Sequence, residues 1–296
     1  MAVGVAGVAG AEPTAGSLSI EQIATIPDMG RMAVNPATGE IAFGRTGPGA
    51  GSAQFLRVLG TDGSLHTVGD QAIRDPDAVA WDVDGLFSPA GSLLVGSNRG
   101  IFAIRPDNSI MTVMEAGSDL VNPEDLNLAA DGGLYWADYG LSRVQRLSIH
   151  GSVSTVLTTA DPVVRVDVDE FGSLASVDVM GGVIQPGAIA GTPNFSELVF
   201  GDGSDLWGDD RYALDTGSGS VVRLFDDGSI ETVVSGLFDG VDLSQPHAMD
   251  ANIAFLPTGE MLIGVPVTGE LYSVVPAPGA LAIAAMGGVL AVRRRR

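Results

Sequence analysis

Leu126-Asn-Leu-Ala-Ala-Asp-Gly-Gly-Leu-Tyr-Trp136 reads as two short strands joined by a tight turn. Asp131-Gly132 lies between the apolar runs, and glycine supplies the positive φ of such turns without a Cβ clash. The same unit recurs at residues 33–43, 86–95, 166–176 and 253–263, with a degenerate copy at 206–214. Its turn glycines, Gly39, Gly91, Gly132, Gly172, Gly208 and Gly259, are separated by 52, 41, 40, 36 and 51 residues. Repeats of this length made only of strands are the spacing of propeller blades.

A second hairpin follows most units, at residues 55–68, 101–113, 144–156 and 221–233, tipped by Asp62-Gly63, Asp107-Asn108, His150-Gly151 and Asp227-Gly228. Four strands per unit and six units predict an all-β chain, a six-bladed β-propeller of four-stranded antiparallel blades over residues 17–275. The last unit has a third strand at 270–275 and no fourth. Residues 17–26 resemble the fourth strand at 229–234, so the N-terminal strand is expected to complete the last blade, which removes an exposed edge and ties the ring shut.

Composition narrows the chemistry. The 296 residues include 41 Gly, 45% hydrophobic side chains and no Cys, too apolar for a disordered chain. All fifteen cations are Arg. A Schiff-base lysine, a P-loop, a thiol nucleophile, a thiolate metal site and an iron-sulfur cluster are therefore excluded. The net charge is -21, and with four arginines at the C-terminus the body carries eleven cations against 36 acidic residues. Nucleic acid is excluded as a partner, because its binding depends on Lys and Arg displacing counterions.

The two ends carry address signals. Residues 1–16 are small and apolar, and Ala9-Gly10-Ala11 suits a signal peptidase, so this stretch reads as the back half of a signal peptide or as a disordered leader. Residues 276–296 form an apolar stretch ending in Arg293, Arg294, Arg295 and Arg296, expected as a short hydrophobic helix in the membrane with its arginines on the cytoplasmic side. Val275-Pro276-Ala277-Pro278, the small-residue apolar helix and the arginine cluster together resemble the PEP-CTERM sorting segment, with Ala277 where that motif has Glu. The resemblance implies an exosortase-type partner, a transient membrane anchor, removal of the tail and export to the surface or matrix of a Gram-negative-type bacterium.

Gly133-Leu-Tyr-Trp-Ala-Asp-Tyr-Gly-Leu-Ser-Arg-Val-Gln-Arg-Leu147 resembles both the NHL repeat and the Tyr-Trp-Thr-Asp repeat. The chain as a whole is similar to the six-bladed superfamily that includes the SMP-30/gluconolactonase-like lactonases. That resemblance implies a central channel with function at the end where the innermost strands begin. The residues expected there are Met29 to Met32, Asp77, Asp84, Glu124, Asp125, Arg165, Asp205, Asp210, His247, Asp250 and Asn252. As metal or ligand contacts, Asp77, Glu124, Asp125, Asp205, Asp210, His247 and Asp250 stand out. Such oxygen ligands suit Ca²⁺ or Mg²⁺. No cofactor is demanded by the sequence; Ca²⁺ is the candidate ion. Asp77-Ala-Val-Ala-Trp-Asp82 is similar to the lactonase Glu-Gly-Pro-x-Trp segment, with Asp for Glu, and Arg165 brings a cation toward the ring.

Other clusters read as structure. Residues 167–178 have carboxylates at positions one, three and twelve of a calcium loop, but Phe171 holds the fifth and no helix flanks it, so a blade hairpin is expected. Residues 201–210 pack four Asp into a turn that is either solvated or a surface Ca²⁺ site. His66 and His150 fall in outer hairpins, leaving His247 alone near the channel, and no Gly-x-Ser-x-Gly elbow exists. Trp81, Trp136 and Trp207 either stack on sugars or fill the blades. The function expected is an exported, surface-associated, monomeric binding or scaffold module for a matrix polysaccharide or surface protein, with no catalytic set. The alternative is a divalent-metal-dependent lactonase, and a third reading is a structural spacer.

Overall fold

The computed structural model describes residues 18–45, 52–178, 183–184, 195–204, 206–215, 217–225, 227–238 and 252–276. These described residues form 23 strands in six antiparallel sheets. The first sheet runs β2 (Met29–Val34), β3 (Ile41–Arg45), β4 (Ala53–Leu59), β5 (Leu65–Arg74), and the second β6 (Pro76–Asp82), β7 (Ser92–Ser97), β8 (Gly100–Ile104), β9 (Ile110–Glu115). The third runs β10 (Pro123–Leu128), β11 (Leu134–Asp138), β12 (Arg143–Leu147), β13 (Val153–Thr158), and the next has three strands, β14 (Val163–Val168), β15 (Leu174–Asp178) and β16 (Val183–Ile184). Then come β17 (Phe195–Phe200), β18 (Arg211–Asp215), β19 (Ser220–Leu224), β20 (Ile230–Val234) and finally β21 (Asn252–Phe255), β22 (Met261–Val265), β23 (Glu270–Pro276). The remaining strand, β1 (Leu18–Thr25), joins the last sheet in the order β1-β23-β22-β21.

The expectation of six four-stranded blades is corrected: the propeller has five four-stranded blades, and the β14–β16 sheet has three strands among the described residues. Residues 179–182 and 185–194, on either side of the two-residue β16, lie outside the described residues. A second correction concerns the degenerate unit. Its first strand is Phe195–Phe200, and Leu206 to Gly208 belong to the turn between β17 and β18.

The first strand of each sheet packs beside the first strand of the next, in the circuit β2, β6, β10, β14, β17, β21 and back to β2. The apolar core is divided accordingly into clusters between neighbouring sheets, such as Val58, Val79 and Val95 between the first two and Trp207, Tyr212, Ile253 and Ile263 between the last two. Close approach at the seams needs small residues. A Cβ on Gly44 of β3 would lie 2.4 Å from the Asp77 carbonyl oxygen, so no other residue fits there.

Ring closure follows the strand count. Leu18 pairs with Pro276, Ser19 with Val275 and Thr25 with Glu270, and Ile26 N–H donates to Gly269 O at 2.6 Å. Val275 and Pro276, expected to open the sorting segment, are thus ladder residues of β23. The other residues of that segment, Pro278 and Arg293 to Arg296, and the leader at 1–16 lie outside the described residues, as does the expected C-terminal helix. Among the described residues no helix is long and apolar enough to cross a membrane.

Buried carboxylates fix the loops. Asp82, fully buried, accepts from Leu86 N–H at 2.7 Å, Phe87 N–H at 2.9 Å, and both Ser88 N–H and its hydroxyl at 2.8 Å. Asp138 holds the preceding connection by accepting from Val121 N–H at 2.9 Å and Asn122 N–H at 3.2 Å. Each carboxylate replaces lost hydration with several donors, the condition for burying a charge at all.

Candidate functional site

Alternate residues of a strand share a face. In β14, Val164, Val166 and Val168 are buried in the flanking apolar clusters, and Arg165 and Asp167 take the other set of positions. In β10 Asp125 and Asn127 stand two apart in the same way. These polar positions meet Arg31 of β2, Glu197 of β17 and Asn252 of β21 to give the ring a polar centre.

Three of them tie neighbouring strands together. Asp125 Oδ2 accepts from Val166 N–H of β14 at 3.0 Å, Asp167 Oδ2 from Phe200 N–H of β17 at 2.7 Å, and Asn252 Oδ1 from Met32 N–H of β2 at 3.0 Å. Asn252 also donates to Gly30 O at 2.8 Å, and Asn127 donates to Asp167 Oδ1 at 2.5 Å. First strands pair only within their own blade, so these side chains supply the polar bonds that backbone ladders cannot make between blades.

The charges are placed just as closely. Arg31 is buried and reaches across the centre, donating to Glu124 O of β10 at 3.1 Å and Val164 O of β14 at 3.3 Å, two and three sheets away from its own. Arg165, fully buried, lies 2.7 Å from Glu197 Oε2. Burial pushes the Asp125 carboxyl up to about 8; Arg31 opposes this, while Glu197 and Asp167 reinforce it. Burial likewise raises Asp167 to about 6, against the N–H groups of Phe200 and Val168. At neutral pH Asp125 is therefore mostly protonated, and two arginines face Glu197 and a mainly ionised Asp167.

A cavity of about 350 Å³ opens beside this centre. It is lined by the later residues of the first strands, among them Val34, Trp81, Leu128, Phe200 and Phe255, with Asp125, Asn127, Asp167 and Glu197 deeper in. It therefore lies toward the end where these strands finish. Trp81, half-buried on its wall, donates from Nε1 to Ala33 O of β2 at 3.2 Å. Trp136 and Trp207 are blade-filling instead: Trp207 donates to Gly259 O at 2.8 Å and meets Tyr212 edge to face at 5.8 Å.

Of the sequence-predicted residues that are described, Asp125 lines the axial cavity and Asp77, Glu124 and Asp210 do not. Asp77 is partly buried at the start of β6, and Asp84 is exposed in the loop beyond its far end. Glu124 accepts from Asn122 Nδ2 at 2.7 Å. Asp210 lies in the β17–β18 turn and is held by Arg223, so it is no part of the strand start where it was placed. Asp205, His247 and Asp250 lie outside the described residues. Residues 167–178 form the expected hairpin of β14 and β15. Sequence reasoning missed Glu197, because the unit was counted back from Gly208 with a short turn. The available signal was a lone acid inside the apolar run Phe195-Ser-Glu-Leu-Val-Phe200.

Among the described residues, the axial side chains do not fit a divalent cation of the lactonase type. Both Asp125 oxygens already accept backbone N–H groups, from Leu126 and Val166 at 3.0 Å each. Arg31 and Arg165 put two cations where the ion would need anions. Among the described residues no three acidic or histidine side chains form a metal-binding group.

No protein-family model matches the chain, and no curated protein sequence matches it. Solved structures do. The gluconolactonase XC5397 of Xanthomonas campestris superposes with a TM-score of 0.64 at 16% identity, over 89% of this chain and 91% of that one. Virginiamycin B lyase from Staphylococcus aureus gives 0.55 at 12%, over 87% and 99%. An auxiliary nutrient binding protein from Bacteroides thetaiotaomicron gives 0.60 at 10%, over 85% and 69%. At such identities the likeness establishes the fold alone, a β-propeller shared by proteins of different activity.

Proposed function

We propose that the chain is an exported, surface-associated propeller that binds its ligand, a matrix polysaccharide or a surface protein, and does not hydrolyse it. One observation carries this reading: Arg31 and Arg165, braced against Val164, Glu124 and Glu197, fill the centre where a metal-dependent hydrolase needs an anionic pocket. Export rests on the sequence alone, on residues 1–16 and the segment from Val275 to Arg296 with an exosortase-type enzyme as its partner. The lactonase reading is favoured by the fold likeness to the Xanthomonas gluconolactonase.

The test pairs two assays on the full chain. Hydrolysis of glucono-δ-lactone is measured with Ca²⁺, Mg²⁺, Mn²⁺ or Zn²⁺, and binding is measured on a glycan array. Glycan binding with no metal-dependent turnover is expected. Turnover that rises with one ion and is lost on chelation would establish the hydrolase instead. Fractionation of cells expressing the chain without residues 276–296 tests the address, which is wrong if truncated and full proteins are found in the same place.

A further inference from the structure

A cavity of about 380 Å³ opens at the seam between the last and first sheets, on the end of the ring where the first strands finish. Turns at 37–39, 60–63 and 256–260 bound it, and Ile41, Leu59 and Leu256 in its lining belong to the apolar cluster that closes the seam. Ile23, from the outermost strand of the last sheet, lines it too. In β1 Gln22 pairs with Tyr272 and Ala24 with Leu271, so Ile23 is the extra residue of a bulge, and it is 42% exposed. Leu65, paired with Leu59 across the β4–β5 ladder, is 39% exposed. Exposed aliphatic side chains around a concave apolar seam call for a cover.

One leaves the fold at this spot. β23 runs antiparallel to β22 with Val274 opposite Met261, so Pro276 emerges beside the 256–260 turn, about one strand spacing (~4.8 Å) from it. Residues 277–296, which follow, lie outside the described ones; their sequence is sixteen small or apolar residues and then Arg293 to Arg296, with no acid. Pro278-Gly279 is a turn dipeptide, the signal for a chain that reverses as it leaves its strand. Leu281 and Ile283, the first bulky residues beyond it, come five and seven positions after Pro276, a reach of up to ~16 and ~23 Å. Charge matches as well: residues 37–41, 59–63 and 256–260 include Glu40, Asp62 and Glu260 and no cation.

We infer that this cavity is the seat of the chain's own tail: Leu281 and Ile283 occupy it, and Arg293 to Arg296 lie against the acidic turns around it. The inference does not depend on what the propeller binds or where the chain is sent. An apolar tail in water costs about 25 cal/mol for each Å² it exposes, and the seam offers a cover within the same molecule. Tethering decides between occupants. A tail fixed at the edge of the cavity has an effective concentration of about millimolar, which a second copy at micromolar concentration does not match. Salt should loosen the arginine contacts and leave the apolar ones in place.

The chain contains no cysteine, so a single pair can be introduced without competition. Ile23→Cys with Ile283→Cys in the full chain, oxidised at micromolar concentration without detergent, should close an intramolecular disulfide, seen as a shifted monomer band on a non-reducing gel. Such a bond forms only when the two Cα atoms come within about 7 Å. The comparison pair is Ile149→Cys with Ile283→Cys, since Ile149 is 54% exposed on the matching hairpin of the third sheet. Closure of the first pair should be faster by about ten-fold or more. Equal rates for the two pairs would show an unseated tail and overturn the inference. Disulfide-linked dimers in place of the closed monomer would overturn it too, by giving the cavity to another copy. Hydrogen exchange repeats the test without cysteines: in the full chain carrying Leu281→Asp and Ile283→Asp, amides at 37–41 and 59–63 should exchange about ten-fold faster than in the parent. Unchanged exchange there would equally refute the seat.

Discussion

Replacing Asp125 with Asn changes the pH dependence of stability in a direction fixed by the site. In the native protein this carboxyl titrates near 8 against an ordinary value of 3.8. Between those values the folded chain holds a proton that the unfolded chain has lost, so folding is increasingly disfavoured as pH rises from about 4 to about 8. The contribution is complete below the ordinary value and gone above the raised one. At about 1.4 kcal/mol for each unit of pKa, the full swing is on the order of 6 kcal/mol, an upper bound. Asparagine cannot ionise and keeps one acceptor oxygen, but its NH2 faces one of the two N–H donors now shared by Leu126 and Val166. That mismatch costs about 1–3 kcal/mol at pH 5. Melting temperatures of the parent and Asp125→Asn from pH 4 to 9 should start apart, with the parent higher, and converge or cross by pH 9. Parallel profiles across that range would mean that Asp125 is not the buried acid described here.

Other substitutions test the remaining contacts. Glu197→Ala strands the fully buried Arg165 guanidinium and should cost about 3–5 kcal/mol in urea unfolding, while Glu197→Gln, which keeps an acceptor oxygen, should cost less. Asp82→Ala removes the acceptor of four hydrogen bonds from residues 86–88 and should destabilise by roughly 2–4 kcal/mol, with new proteolytic cleavage in the loop at 83–91. Deleting residues 1–25 exposes the edge of β23 and should lower the melting temperature and promote aggregation.

The sequence made some of this architecture legible and concealed the rest for physical reasons. Turn glycines reveal themselves because few residues accept positive φ, and Gly39, Gly91, Gly132, Gly172 and Gly259 have φ between 75° and 84° at hairpin turns. The closure of β1 on β23 was readable because an unpaired third strand and an orphan fourth strand call for each other. In the β14–β16 sheet the inner hairpin follows the repeat, and most of the residues from 179 to 194 lie outside the described ones. Asp125 was expected as an oxygen ligand near the channel. Its spacing in the strand places it at the axis, but only coordinates reveal that Val166 N–H and Arg31 are what it meets. Arg31 and Glu197 could not be paired with their partners from sequence, since the contacts join strands of different blades.

The most direct test of the arginine-filled centre is a crystal of the full chain soaked in a Mn²⁺ salt and measured for anomalous scattering. The arrangement described here requires the Arg31 guanidinium to extend across the ring to Glu124 O and Val164 O, Arg165 to pair with Glu197, and the axis to give no anomalous peak. A manganese ion bonded to Glu124 or Asp125, with Arg31 turned away, would contradict it and restore the metal hydrolase.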